Sequence, residues 1–91
     1  MSNNDISYEN EHVLVVDDED IVREPISAML EHLGFTVDTA ASGQEALEKF
    51  RDNSYSFLLT DIRMPGIDGL ELISIIKEEF PDICAIAMTG Y

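Results

Sequence analysis

Basic residues are scarce in this chain: 5 Lys and Arg stand against 19 Asp and Glu, for a formal net charge of −14. Contacts to phosphate backbones and anionic headgroups are made by Lys and Arg, so the balance argues against direct binding to nucleic acid or to an anionic membrane surface by this segment. No Lys or Arg precedes Arg23, whereas Asp5, Glu9, Glu11, Asp17, Asp18, Glu19 and Asp20 all do. Cysteine is nearly missing too. Cys84 stands alone, so no internal disulfide can form, and a reducing, cytoplasmic setting is the default. Inside its apolar run that residue reads as a small buried hydrophobe rather than a reactive thiol. The start of the chain, Met1 to His12, offers neither a basic cluster nor an apolar core, which argues against a signal peptide. No run approaches the ~20 apolar residues that a membrane span requires. Internal repeats and low-complexity tracts are absent.

What remains is a chain of 91 residues, 45% hydrophobic, with the apolar content dispersed in short runs. That suits one small domain near the size at which a single core gives marginal stability. Residues 1–11 read as a flexible polar lead and 12–91 as the domain. His12 to Val16 is a continuous β-branched run, as expected of a strand covered on both faces. Ile21, Val22, Ile26, Met29, Leu30 and Leu33 recur at near-helical spacing, with Gly34 as the stop. Pro25 falls past the first turn of that helix, where it removes a backbone hydrogen bond, so a late start or a kink is expected. Phe35, Val37 and Ala40 form a second strand. Ser42 and Glu45 match a capping box ahead of Ala46, Leu47 and Phe50. Phe57 to Thr60 form a third strand, Met64 to Gly69 a loop, Leu70 to Phe80 a third helix that Pro81 stops, and Ile83 to Met88 a fourth strand. The order βαβαβαβ, with connections long enough for right-handed crossovers, predicts an α/β fold: a doubly wound parallel sheet.

The chemistry collects where the strands end. Val13 to Val16 runs into Asp17 and Asp18, Phe57 to Thr60 into Asp61, and Ile83 to Met88 into Thr89 and Gly90. In an open parallel sheet those carboxyl ends share one edge, the place where such folds bind ligands. Carboxylates gathered there repel one another and call for a hard divalent cation such as Mg²⁺. The plainer reading of Asp17 to Asp20 is an acidic cap on the following helix, whose dipole favours negative charge. Thr89 alone would be an ordinary loop residue. Asp61 and Thr89, at the ends of two further strands, favour the metal pocket.

With these segments in view, the chain resembles the receiver domain of bacterial two-component response regulators. The matching words are Val13-Leu14-Val15-Val16-Asp17-Asp18-Glu19, Leu58-Leu59-Thr60-Asp61-Ile62-Arg63-Met64-Pro65-Gly66-Ile67-Asp68-Gly69 and Ala87-Met88-Thr89-Gly90-Tyr91, in order. The resemblance implies a flavodoxin-like receiver fold with strand order 2-1-3-4, here lacking the fourth helix, fifth strand and last helix. It implies that Asp61 accepts a phosphoryl group from a sensor histidine kinase. Asp18, Asp61 and the Arg63 backbone carbonyl would hold Mg²⁺ directly, with Asp17 acting partly through water. Thr89 would be the switch hydroxyl that meets a phosphoryl oxygen. Pro65, Gly66 and Gly69 would shape the loop after the acceptor, while Glu19, Gly90 and Tyr91 flank the pocket. The family's lysine at the end of a fifth strand has no counterpart here; Lys49 and Lys77 lie on predicted helices.

Three functions follow. The leading one is a phosphoacceptor signalling module, not an enzyme in the usual sense, with transfer weakened by the missing lysine. The second is a remnant that binds or dimerises without taking phosphate, through an exposed fourth-strand edge or by swapping elements. The third is a Mg²⁺-dependent phosphatase of the haloacid dehalogenase type; Arg63 occupies the position where that family wants an acid. His12 and His32 read as structural rather than as phosphohistidine carriers. Met29, Met64 and Met88, with Phe35, Phe50, Phe57 and Phe80, read as packing.

Overall fold

The computed structural model describes residues 11–88. The chain order is β1 (His12–Val16), α1 (Asp20–His32), β2 (Thr36–Ala40), α2 (Gly43–Asp52), β3 (Phe57–Asp61), α3 (Gly69–Glu79) and β4 (Cys84–Met88). All pairings are parallel, as the element pattern predicts, and the sheet order is β2-β1-β3-β4, the order that the resemblance implies. The proposed lead at 1–11 lies outside the described residues except for Glu11, whose carbonyl accepts the Thr36 N–H.

β1 is central and covered on both faces, hence its unbroken apolar run. Leu14, Val15, Val16 and Leu58 are fully buried, each contributing roughly 1.5–3 kcal/mol. Alternation along the strands divides them between two faces. Leu14, Val16 and Leu58 join Ala46, Leu47 and Phe50 of α2 and Leu72 and Ile76 of α3 in the main core. Val13 and Val15 point the other way, toward α1, which packs on β1 and β2 and touches neither of the other helices. The reversal of winding direction at β1 puts the helices on opposite faces.

Two helix starts have side-chain caps. Ser42 Oγ accepts the Glu45 N–H at 3.1 Å, while Glu45 Oε1 reaches back to the Ala41 N–H at 2.9 Å. Asp68 and Glu71 form a complete capping box on α3, a signal present in the sequence as Asp-x-x-Glu.

The structure corrects two expectations. α1 begins at Asp20 and contains Pro25, so of the late start and the kink expected there the late start does not occur. Ile21 and Pro25 are both exposed, so water can bond the Ile21 carbonyl that the proline nitrogen leaves without a donor. Cys84 is exposed rather than buried. β4 is the outer strand among the described residues, and Cys84, in register with Phe57 and Val13, lies on the face of the sheet that α1 covers only over β1 and β2. Ile86 shares that side and is 50% exposed. No helix among the described residues is long and apolar enough to cross a membrane.

Candidate functional site

β1 and β3 lie side by side, with Val16 paired to Thr60, so the residues that follow, Asp17 and Asp61, emerge together at one end of the sheet. Asp17, Asp18 and Asp61 each offer a carboxylate oxygen within 4.8 Å of the others. At that separation each pair of unit charges repels by about 1–3 kcal/mol, between the water and protein limits of effective dielectric. Oxygen donors this close fit a hard divalent ion.

The three acids sit in different surroundings. Asp17 is 3% exposed. Its N–H donates to the Ala40 carbonyl at 3.1 Å, and its Oδ1 accepts the Glu19 N–H at 2.9 Å. Burial pushes its carboxyl above the ordinary range, the Glu19 bond opposes that, and the nearby Asp61 and Asp18 charges add to it. Asp18 is exposed, and Asp61 is half-buried.

The chain beyond Asp61 is held tightly. The Thr60 hydroxyl, fully buried, donates to the Asp61 carbonyl at 3.0 Å. The Ile62 N–H donates to the Met88 carbonyl at 3.3 Å, and the Gly69 N–H to the Ile62 carbonyl at 2.8 Å. Met64 is buried in the core and pins the loop from below. Gly66 has φ of 76°, a conformation that disfavours side chains. At Gly69 a Cβ would stand 2.0 Å from the Asp61 carbonyl oxygen, so only glycine lets α3 start against the end of β3.

Of the residues singled out in the sequence, Asp17, Asp18 and Asp61 are brought together, and Glu19 lies at the start of α1 with its N–H on Asp17. Arg63, Pro65 and Gly66 are exposed in the loop, whereas Gly69 is buried as the first residue of α3. Thr89, Gly90 and Tyr91 lie outside the described residues. Lys49 bonds the Thr39 carbonyl and pairs with Glu45 at 3.4 Å. Lys77 donates to the Pro81 and Ile83 carbonyls, at the opposite end of β4 from Met88. A shallow depression lined by Ile62, Arg63, Met64, Pro65 and Asp68 begins one residue past Asp61 and takes in none of the three acids. The sequence reading missed Arg23, whose Nη1 donates to the Asp17 carbonyl at 2.7 Å. Its sequence position, as the first Lys or Arg after a run of acids, does not by itself point to the Asp17 carbonyl.

Comparison with known proteins bears on this geometry. Residues 13–91 match the family model of the response regulator receiver domain. The probable transcriptional regulator ycf27 of Cyanidium caldarium is 38% identical over 79 residues, 87% of this chain and 31% of that protein. The DNA-binding transcriptional regulator NtrC of Escherichia coli is 40% identical over 79 residues, 87% of this chain and 17% of that protein. The chain thus spans about a third or less of these curated relatives. Among solved structures, the response regulator TrrA of Thermotoga maritima in complex with Mg²⁺-BeF superposes with a TM-score of 0.85 at 42% identity, covering 89% of this chain and 70% of that one. TrrA in complex with the histidine kinase ThkA superposes with a TM-score of 0.83 over the same shares.

Proposed function

We propose that this chain, which belongs to the response regulator receiver domain family, serves over residues 12–91 as a phosphoacceptor module with Asp61 as the acceptor. Receiver domains are signalling modules, and turnover of a substrate is not part of the reading. The observation that carries it is the meeting of the Asp17, Asp18 and Asp61 carboxylates within 4.8 Å at the ends of β1 and β3.

An Asp61 carboxylate oxygen attacks the phosphorus of a phosphohistidine on a sensor kinase. An O–P bond forms, the N–P bond breaks, and the imidazole leaves with the electron pair and takes up a proton. The acid cluster and the Arg63 backbone carbonyl would hold Mg²⁺, which when bound offsets the charge of the carboxylates and of the transferring group. Asp17, fixed through its N–H and its Oδ1, keeps one wall of the pocket in place. The bond from Thr60 to the Asp61 carbonyl and the contact of Gly69 with it restrain the backbone of the acceptor. Thr89 follows Met88, the residue paired with Asp61, and is assigned the switch hydroxyl; Gly90 and Tyr91 flank it. A kinase partner is supported by the complex of TrrA with ThkA. The acidic balance favours protein partners over nucleic acid, and the lone cysteine suits the cytoplasm.

Intact mass after incubation with Mg²⁺ and acetyl phosphate tests the proposal. The expected gain is one phosphoryl group, about 80 Da, lost in Asp61→Ala. An unchanged mass in the unsubstituted chain would overturn the phosphoacceptor reading. A second reading, self-association through β4, is favoured by one observation: this outer strand carries exposed Cys84 and half-exposed Ile86 beside an edge that pairs with no other described strand.

A further inference from the structure

Arg23 lies in the first turns of α1, with only 14% of its side chain exposed. Its guanidinium bonds two acceptors at once. Nη1 donates to the Asp17 carbonyl oxygen at 2.7 Å, and Nη2 pairs with the Asp20 carboxylate. The first of these matters for the site, because the Asp17 carbonyl belongs to the peptide plane that joins Asp17 to Asp18.

Asp17 needs little help. Its N–H is tied to Ala40 and its carboxylate to the Glu19 N–H. Asp18 is different: it is exposed, and its carboxylate has no hydrogen bond or ion pair among the described residues. Among the described residues nothing at the side-chain level holds it toward Asp61. What sets the direction of its Cα–Cβ bond is the preceding peptide plane, and peptide planes are stiff. Arg23 grips that plane by its oxygen, while Asp20 anchors the other arm of the planar fork so that the guanidinium cannot swing away.

We propose that Arg23 is a positioning residue: its guanidinium fixes the Asp17–Asp18 peptide plane and so holds the Asp18 carboxylate where, with Asp61, it takes a divalent cation. This rests on the reading of the acid cluster as a Mg²⁺ site. It makes a prediction whose sign opposes simple electrostatics. A cation beside three carboxylates repels Mg²⁺, so removing Arg23 by charge alone leaves the pocket more negative and tightens binding. Removing it as a positioning group frees the peptide plane and weakens binding, as loss of an outer-shell partner does, by roughly 10–100-fold.

The test is a Mg²⁺ titration of the chain at pH 8 without any phosphodonor, followed by amide NMR at the Asp18 N–H, which belongs to the same peptide plane. Arg23→Met is expected to weaken Mg²⁺ binding about tenfold or more and to shift the metal-free Asp18 amide signal. A melting curve in EDTA establishes that the variant is folded at the titration temperature. Equal or tighter binding by folded Arg23→Met would overturn the proposal while leaving the metal site intact. Failure of the unsubstituted chain to bind Mg²⁺ would instead overturn the site reading, and this inference with it. Should Arg23→Met not fold, Arg23→Lys decides. It keeps the charge but lacks the fork, so a loss of about threefold or more supports the positioning role, and unchanged affinity refutes it.

Discussion

Tyr55 shows how a single residue ties distant parts of the sheet together at the end away from the acids. Its hydroxyl donates to Asp38 Oδ2 at 2.7 Å, and the same oxygen lies 3.1 Å from His12 Nε2. Its ring packs on His12 and Phe50 at centroid distances of 4.5 and 4.8 Å. Burial, and then donation to the Asp38 carboxylate, pushes the phenol above its ordinary value of 10.0. The folded state therefore favours the protonated phenol. Its contribution to stability is complete below that ordinary value and is lost as pH rises toward and through the raised one. Tyr55→Phe should cost about 1.5–3 kcal/mol near neutral pH, as expected for a hydrogen bond to a charged group. It should also flatten the fall of stability between pH 9 and 11. Urea denaturation across that range measures both, and an unchanged alkaline slope would refute the assignment.

At the scale of elements, the start of α3 joins fold to site. Asp68 and Glu71 cap the helix reciprocally, and Gly69 lets its first turn rest on the Asp61 carbonyl. The two residues should respond differently to the same small side chain. Asp68→Ala removes a cap and should cost about 1 kcal/mol without moving the acceptor. Gly69→Ala forces a methyl against backbone, which cannot give way as a flexible side chain would, and should cost about 3 kcal/mol. Because the displaced group is the acceptor's own carbonyl, Gly69→Ala should also slow phosphorylation of the fraction that folds, whereas Asp68→Ala should not. Thermal melts beside the intact-mass assay separate the two effects, and equal costs would refute the argument. α1 teaches a different lesson. Its apolar spacing marked the helix correctly, yet none of its residues is buried, and Ile21, Met29 and the C-cap Leu33 stay more than half exposed. Periodicity reports that a helix has an apolar face; it does not report how much of that face the sheet can cover.

For the whole molecule, the layers are unequal. α2 and α3 seal one face over β1, β3 and the inner side of β4, while α1 covers only β1 and β2 on the other. Ile86 on β4 is consequently half exposed. If β4 mediates self-association, Ile86→Lys should shift sedimentation at high micromolar concentration toward the monomer and leave the melting temperature within about 2 °C, since exposed substitutions change stability little. Identical sedimentation of the two proteins would remove that reading.

Much of this was legible in the chain. The alternation of β-branched runs with helical spacing, the punctuation by Gly34 and Pro81, and the acids at the ends of two apolar runs follow from local chemistry: strands and helices have fixed periods, and charged groups cannot sit in a buried run. These determined the element order, the parallel sheet and the acid pocket. The exposure of Cys84 could not be read, because its apolar neighbours look alike whether the strand is inner or outer; only the sheet order decides that. Nor could the start of α1 ahead of Pro25, which lies where both Ile21 and Pro25 are exposed. The grip of Arg23 on the Asp17 carbonyl is likewise tertiary in origin. A side chain in α1 meets the peptide just beyond β1 only once the turn between them has closed, and no spacing rule in the sequence records that meeting.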